Sequence, residues 1–380
     1  MRLNWAELDR FRNIEKRRVS LHPRYNLFVG GNGQGKTNFL EGIGYLGTLK
    51  SFRSAARSDM VRYGSNMCRV AAEMTAEGIT RDISFVLSQR GRSQYLDERR
   101  IASPEQYLSK VGVVSFIPED VGLVSGPPSL RRRAVDRAVF DREGGYVADY
   151  RRYLKVLRHR NALLRRGGRA DRNELASWTR SLVRDGAVIL VRRLHLIRDL
   201  SGYLATFGGV LGLTGGVALR YVPSFDSYCE TGSGFDQGDP AGMQPSEVEG
   251  LLLEGILGAG DRELEAGHSL VGPHRDNVLF TLEGRDMAGY ASQGQKRAAV
   301  LAFKLALARV ISDGRGSSPV ILLDDVASEL DGERQEALGL LVKDMDAQFL
   351  ITTTSENPGF LDRQNGFIFS VNGGRIERLV

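Results

Sequence analysis

The sequence predicts an α/β fold with a helical second lobe, and three observations carry that expectation. First, Gly30-Gly31-Asn32-Gly33-Gln34-Gly35-Lys36-Thr37 sits between the apolar run Tyr25-Asn26-Leu27-Phe28-Val29 and a helical pattern of Phe39, Leu40, Ile43 and Leu46. A strand, a glycine-rich turn and a helix in that order open an α/β sheet. Second, Ile321-Leu322-Leu323-Asp324-Asp325 is a short apolar run closed by two acids, the pattern of a buried central strand. Third, the chain turns helical and basic after Gly126-Pro127-Pro128 and resumes alternating strands and helices from about Gly267. The expected organisation is a β-rich lobe over residues 1–125, a helical lobe over 126–266, and a return to the first lobe over 267–380.

Within the first lobe, Leu3 to Leu8, Val19 to Leu21 and Leu27 to Gly30 read as strands. Leu49-Lys50-Ser51-Phe52-Arg53-Ser54 is a polar, basic loop. Val70–Met74 and Ile79–Leu87 pair around Ala76-Glu77-Gly78, and Val111 to Ile117 is an apolar run stopped by Pro118. In the second lobe, Arg131-Arg132-Arg133 begins a helical region continued by Tyr146, Tyr150, Tyr153, Leu154 and Leu157. Trp178, Leu182, Ile189, Leu190, Leu194 and Ile197 mark a second long helix, joined to the first as an antiparallel hairpin by the Gly-Gly turn within Arg165 to Asp171. Neither helix has the length of a coiled-coil arm of many heptads. Leu219 to Phe225 reads as a strand, Cys229 to Gln244 as a mobile loop, and Ser246-Glu247-Val248-Glu249 as a capping box before the helix of Leu251 to Leu257. The return comprises strands at Val278–Leu282, Val320–Leu323, Phe349–Thr353 and Phe367–Val371, helices at Gln295–Ile311 and Gln335–Met345, and a hairpin turn at Asn372-Gly373-Gly374.

Bulk properties narrow the function. With 380 residues, 42% hydrophobic and 26% charged, the chain can build two or three cores. No apolar run approaches a membrane span, and early charges of both signs argue against a secretory signal. Cys68 and Cys229 make neither a disulfide framework nor a zinc site, so the expected location is cytoplasmic. The histidines include no HxH or HExxH pattern. The net charge of +6 is uneven: Arg131 to Leu200 holds 19 Lys and Arg against 8 Asp and Glu, a net of +11, leaving −5 elsewhere. One basic segment on an otherwise acidic chain suggests a polyanion-binding surface; the alternative is a solvated helical face in a protein where Arg outnumbers Lys 44 to 8.

The chemistry starts at residues 30–37, which fit glycine, four residues, glycine, lysine, serine or threonine. Gly30, Gly31, Asn32, Gly33, Gln34 and Gly35 wrap their N–H groups inward, and the helix beyond adds a positive dipole end, so a nucleotide polyphosphate is held by many donors. Lys36 reaches the β- and γ-phosphates of ATP, and Thr37 binds Mg²⁺. Asp324 closes the apolar strand as the second Mg²⁺ ligand, and Asp325 orients or deprotonates the attacking water. Upstream, Ser292-Gln293-Gly294-Gln295 opens a long helix, so a hydroxyl, a glycine amide and a helix N-terminus form a second phosphate-binding edge.

These four motifs, completed by Ala327-Ser328-Glu329-Leu330-Asp331 as a D-loop, resemble an ABC-type ATPase head (a P-loop NTPase) whose first motif is split from the rest by a long insertion. More narrowly the chain resembles the RecF family of bacterial recombination mediators, relatives of SMC-type ATPases. The resemblance rests on Phe11-Arg12-Asn13, Lys50-Ser51-Phe52-Arg53, Ile117-Pro118-Glu119-Asp120, Gly126-Pro127-Pro128 with its arginine triplet, Val271-Gly272-Pro273-His274-Arg275-Asp276, Ser292 to Arg297 and Leu323 to Asp331. It spans nearly the whole length and is loose only between about 146 and 265. It implies that Arg12 joins the ATP site and that two heads dimerise head to tail around ATP. Ser292, Gln293, Gly294 and Gln295 of one subunit then face the γ-phosphate on the other, beside the D-loop Asp331. It further implies a weak, DNA-stimulated ATPase that binds duplex and gapped DNA at single-strand/double-strand junctions. Its partner is RecR and, indirectly, RecO, RecA and single-strand-binding protein, in DNA repair, replication restart and the SOS response. Lys50, Arg53, Arg131, Arg132 and Arg133 are the candidate DNA contacts, because phosphate binding needs clustered cations.

Three departures qualify the resemblance. Asn277 stands where the family usually has a second acid after Asp276. Thr352-Thr353-Thr354 occupies the place of the switch histidine found in many ABC proteins. Asp325 replaces their usual glutamate and is one methylene shorter, which predicts turnover below about one per second. Of the rival readings, a transporter ATPase needs a membrane partner, a zinc-hooked ATPase needs long heptads around CxxC, and an ATP-driven nuclease needs a further acidic cluster. A purely structural DNA-binding protein needs no paired ATP motifs. The rival kept open is an ATPase subunit of another DNA-processing or transport assembly.

Overall fold

The computed structural model describes residues 1–53, 56–89, 91–169, 171–229, 235, 240–355 and 365–379. In chain order the strands are β1 (Arg2–Phe11), β2 (Ile14–Ser20), β3 (Tyr25–Val29), β4 (Met67–Ala76), β5 (Ile79–Ser88), β6 (Gly91–Leu96), β7 (Arg99–Ile101) and β8 (Val113–Phe116), then β9 (Val217–Val222), β10 (Asn277–Leu282), β11 (Arg285–Asp286), β12 (Val320–Leu323), β13 (Phe349–Thr353), β14 (Gly366–Asn372) and β15 (Arg375–Arg378). The longer helices are α1 (Lys36–Thr48), α2 (Pro128–Arg142), α3 (Tyr146–Leu164), α4 (Arg172–Val210), α5 (Pro245–Ala266), α6 (Gln293–Arg315) and α7 (Gly332–Asp344). The chain divides into two compact units. One comprises Met1–Val121, Thr206–Thr214 and Ala291–Val380, the other Gly122–Ala205 and Gly215–Tyr290.

The first unit holds two six-stranded sheets, in the orders β2-β1-β4-β5-β6-β7 and β15-β14-β3-β13-β12-β8. The second of these is parallel from β14 to β8, and β3, β12 and β13 are buried at every residue. That double-sided burial is why their sequences are continuous apolar runs without alternation. Helix α1 lies between the sheets: its Phe39, Leu40, Ile43 and Leu46 share one core with Leu8, Val70 and Phe85 from one sheet and Phe28, Leu322 and Leu350 from the other. Two glycines make that sandwich thin enough. A Cβ on Gly47 would stand 2.3 Å from Val113, and one on Gly42 would stand 2.7 Å from Leu8. The buried Gln348 amide ties the layers, donating to the Leu3 and His22 carbonyls and accepting from the Leu3 N–H at 2.7 Å.

The second unit packs α2, α3, α5 and most of α4 with the antiparallel sheet β11-β10-β9. Its α3–α4 pair is the expected hairpin, with His159 stacked on Trp178 at 4.6 Å between ring centroids. A buried polar hub organises the unit. Arg193, fully buried, donates to both oxygens of Asp136, to the Tyr221 hydroxyl and to the Pro273 carbonyl. Asp276, also fully buried, accepts from Tyr221, from the Ser224 hydroxyl and from the Ser224 N–H, each within 2.7 Å. His274 is held at 2.6 Å from the Tyr153 hydroxyl. The Val271–Asp276 stretch therefore works as the knot of this unit.

Two expectations are corrected here. Arg131 is only 6% exposed; it donates to Asn277 Oδ1 through two nitrogens and to the carbonyls of Leu123, Val124 and Gly126. Arg132 is half-buried and donates to the Asp276 carbonyl. Arg131 does not present its guanidinium to DNA, because burial at the start of α2 leaves it satisfied inside the unit. Asn277 is the acceptor Arg131 requires, in the place of an acid. The second correction concerns α5, which opens at Pro245, ahead of the expected Ser246 cap: Glu247 reaches back to the Gln244 N–H at 2.6 Å, and Pro245 supplies the preset first-turn φ. Of the loop expected at 229–244, residues 230–234 and 236–239 lie outside the described residues.

Candidate nucleotide site

The phosphate loop is shaped by two glycines that no other residue could replace. Gly35 takes φ 113° at the start of α1 and lies against Asn13, where a Cβ would come within 2.8 Å. A Cβ on Gly30 would stand 2.2 Å from the Val371 carbonyl oxygen. The loop is braced from behind by the β14–β15 turn: Gly373 N–H donates to Gln34 Oε1 and Gly374 N–H to the Gln34 carbonyl, each at 2.8 Å. Asn13 Nδ2 donates to the same carbonyl at 3.2 Å. Strand β3 delivers the loop and α1 receives it, so its amides are aimed before any ligand arrives.

Lys36 is 6% exposed and its ammonium donates to the carbonyls of Gly30 and Gly31 at 2.6 and 2.9 Å. Burial lowers its pKa, while Asp325 and Asp324 pull the other way. Thr37 Oγ1 donates to Asp324 Oδ1 at 3.0 Å, and Thr352 Oγ1 donates to the same oxygen at 2.7 Å. Burial raises the Asp324 pKa against these two hydrogen bonds. Asp325 follows in a left-handed conformation, φ 50°, and its N–H donates to Thr352 Oγ1 at 2.8 Å. A non-glycine residue there costs about 1–2 kcal/mol, so the arrangement persists only because its surroundings impose it. The Asp325 Oδ1 oxygen is buried without a hydrogen-bond partner. Thr352 thus serves both acids from the end of β13. Sequence reasoning marked its position only for a missing histidine; the signal was a threonine run ending a buried strand.

A 180 Å³ cavity is lined by Asn32 to Asn38, Arg53 and Asp325. Beside it, and sharing Asn38 and Arg53, is an open 940 Å³ cleft walled also by Arg12, Asn13, Arg62 and Tyr63. Arg12 lines this cleft with its guanidinium engaged, donating to both oxygens of the buried Glu41 at 2.8 and 2.9 Å and to the Asp59 carbonyl. Arg53, expected at DNA, donates to Asn38 Oδ1 at 3.1 Å and faces the phosphate cavity. Lys50 and Arg133 are exposed.

The remaining motifs belong to the same unit. Ser292 caps α6: its hydroxyl accepts from Gln295 N–H, and Gln295 Oε1 accepts from Ser292 N–H at 2.9 Å. Ser292 and Gln293 are exposed, and no residue from 292 to 295 lines the phosphate cavity of its own chain. Gly294 sits against Arg334, whose other contacts are the capping carboxylate of Asp331 at 2.5 Å and the Leu211 carbonyl. Arg297 pairs with Glu329.

A phosphate loop, a strand ending in paired acids and a capped second helix start, all on one α/β unit, define an ATPase head of the ABC and SMC kind. A solved Smc head bound to the C-winged helix domain of ScpA shares that fold, with TM-score 0.57 at 16% identity, covering 100% of this chain and 97% of that one. The RecF/RecN/SMC N terminal domain family matches residues 2–369, and the chain belongs to the RecF family. It is 35% identical over 380 residues to the DNA replication and repair protein RecF of Geotalea uraniireducens (strain Rf4), covering 99% of this chain and 100% of that protein. To RecF of Myxococcus xanthus (strain DK1622) it is 36% identical, covering 93% and 91%. The solved structure of the recombination mediator protein RecF with ATP, from the RecFOR pathway, superposes with TM-score 0.82 at 27% identity, covering 100% of this chain and 98% of that one. The family resemblance and the fold class read from the sequence are both borne out.

Proposed function

We propose that the chain is an ATP-gated DNA-binding recombination mediator in DNA repair and replication. It binds ATP with Mg²⁺, dimerises head to tail and acts on gapped duplexes and single-strand/double-strand junctions, with RecR and through it RecO, RecA and single-strand-binding protein. One observation carries the dimer: a pre-capped, exposed signature start at Ser292 and Gln293 that adds nothing to its own phosphate cavity. A phosphate-binding edge so placed is completed by a second copy.

The chemistry follows from the residues. The γ-phosphate replaces Gly30 and Gly31 as acceptor for the Lys36 ammonium. Thr37 Oγ1 and Asp324 Oδ1 are hard oxygens 3.0 Å apart, a pair that suits Mg²⁺, which favours one or two protein oxygens with phosphates and water. That ion neutralises charge on the phosphates when bound. The unpartnered Asp325 Oδ1 is the acceptor that orients the attacking water, and its short side chain supports slow hydrolysis stimulated by DNA. The adenosine end fits the cleft of Asn13, Asn38 and the exposed Tyr63 ring. Among the described residues no helix is long and apolar enough to cross a membrane.

Binding to gapped duplex with and without ATP tests this, in wild type and Lys36→Met, with sedimentation on the same samples. ATP should promote dimer and DNA binding together, in wild type alone. DNA binding indifferent to ATP, with no dimer, would sink the gating.

A further inference from the structure

With Arg131 withdrawn into buried hydrogen bonds and Arg132 half-buried on the Asp276 carbonyl, most of the basic excess of the second unit lies elsewhere. It concentrates on the α3–α4 hairpin, where residues 146–185 hold 11 Lys and Arg against 4 Asp and Glu. Two of those acids are already used: Asp149 pairs with Arg152 and Arg192, and Asp185 with Arg152 and Arg184. Asp171 turns its carboxylate to the N–H groups of Asn173 and Glu174. Along α3 and the turn that follows it, Lys155, Arg158, Arg165 and Arg166 are left exposed, with no acid within ion-pair distance among the described residues.

Their placement is ordered. At about 100° per residue, Lys155 and Arg158 on α3 and Arg165 and Arg166 in the turn that continues it fall within roughly 100° of arc. The His159–Trp178 stack and the Arg160–Thr179 hydrogen bond at 2.9 Å set the register of the two helices. Because His159 and Arg160 face α4, Arg158 lies about 150° of arc from that side and Arg180 about 150° from the side of α4 that meets α3, so the row belongs to α3 alone. Along α3 the row runs about 16 Å, from 1.5 Å of rise per residue. One strand of a duplex carries a phosphate about every 3.4 Å of axis, so the row spans four or five phosphates. Four exposed cations in one row, with no acid paired to them among the described residues, offer a polyanion of matching length several contacts at once.

We propose that this outer face of α3 is a track for the sugar-phosphate backbone of duplex DNA. The inference rests on the DNA-binding reading above and names the surface that performs it. Contacts of this kind carry no sequence preference, which suits a protein that recognises a DNA structure anywhere in a genome.

The test compares two charge-matched variants of the full chain on a fluorescent duplex of about 30 base pairs, with ATP and Mg²⁺ present, across a salt series. One is Lys155→Gln/Arg158→Gln/Arg165→Gln/Arg166→Gln. The other removes four exposed cations of the first unit, Lys16→Gln/Arg99→Gln/Arg100→Gln/Lys110→Gln. All eight side chains lie on exposed positions, and circular dichroism confirms that both variants are folded. The slope of log affinity against log salt should flatten by about 3 to 4 for the hairpin variant, at about 0.9 per phosphate contact, and by less than about 1 for the other. Equal slopes in the two variants, with wild type binding DNA, overturn the α3 track alone. A wild type that binds no duplex overturns the underlying reading. Loss of binding to phosphatidylserine vesicles in the hairpin variant, with duplex binding intact, assigns the face to a membrane and also overturns the proposal.

Discussion

Two regions of this molecule concentrate buried charge, and they treat it in opposite ways. In the second unit Arg193, Asp136, Tyr221, Ser224 and Asp276 satisfy one another at 2.6 to 3.1 Å. Around the phosphate loop, Asp324 is doubly hydrogen-bonded but Asp325 keeps a bare buried oxygen, and Lys36 is parked on backbone carbonyls. A closed network specifies a structure; an unclosed one stores binding capacity for a ligand. Both regions surfaced in the sequence as charged motifs, yet only the one with unsatisfied groups has the geometry to take a ligand.

The comparison breaks most readily at Arg193. Arg193→Met leaves Asp136 buried without its cation and should cost about 3–5 kcal/mol in denaturant unfolding, with nucleotide affinity below the transition unchanged. A loss under about 1 kcal/mol would mean the hub is not what holds the unit. At the site the effects invert: Lys36→Met should lower phosphate release by about 10²–10³-fold while leaving the thermal midpoint within a degree or two. A large fall in that midpoint would make Lys36 structural.

A pH series sharpens the contrast. Burial holds His274 down to about 4 from an ordinary 6.5. The unfolded chain therefore binds the proton first as pH falls, so the histidine's contribution is whole above about 6.5 and is lost on the way down through 4. Between pH 6.5 and 5 wild type should lose about 2 kcal/mol that His274→Gln does not. Parallel curves for the two proteins would contradict a neutral buried imidazole. The smallest effect belongs to Thr352→Val, which removes the one hydroxyl serving both acids. Turnover should fall about tenfold with a weaker Mg²⁺ dependence, and Thr352→Ser should restore both. Equal values for Val and Ser would leave the threonine a packing residue.

What the sequence showed and what it hid divide along physical lines. The phosphate loop, the strand of Val320–Leu323 and the helix of α6 were legible because their chemistry is local: glycines, apolar runs and a capping serine within a few residues. Arg131 was misread because three adjacent arginines look like a surface patch until the partners 146 residues away at Asn277 are known. Thr352 was passed over for the same reason, its two acids being 28 and 27 residues upstream. The Asn372–Gly374 turn was legible as a hairpin, but its role as a brace for Gln34 depends on a contact between opposite ends of the chain. The charge asymmetry was legible at once, and its location on the outer face of α3 needed the contacts that fix which side of α3 meets α4.

The central claim is that the nucleotide site is built from two copies, and subunit mixing tests it directly. Lys36→Met carries a spoiled phosphate loop with an intact signature, and Ser292→Arg the reverse. Each should be inactive alone. Mixed in equal amounts with ATP, they should recover up to about a quarter of wild-type turnover, since half the dimers are mixed and each mixed dimer has one complete site. A mixture as inactive as its components, under conditions where sedimentation shows mixed dimers, would place the whole site within one chain and contradict the account.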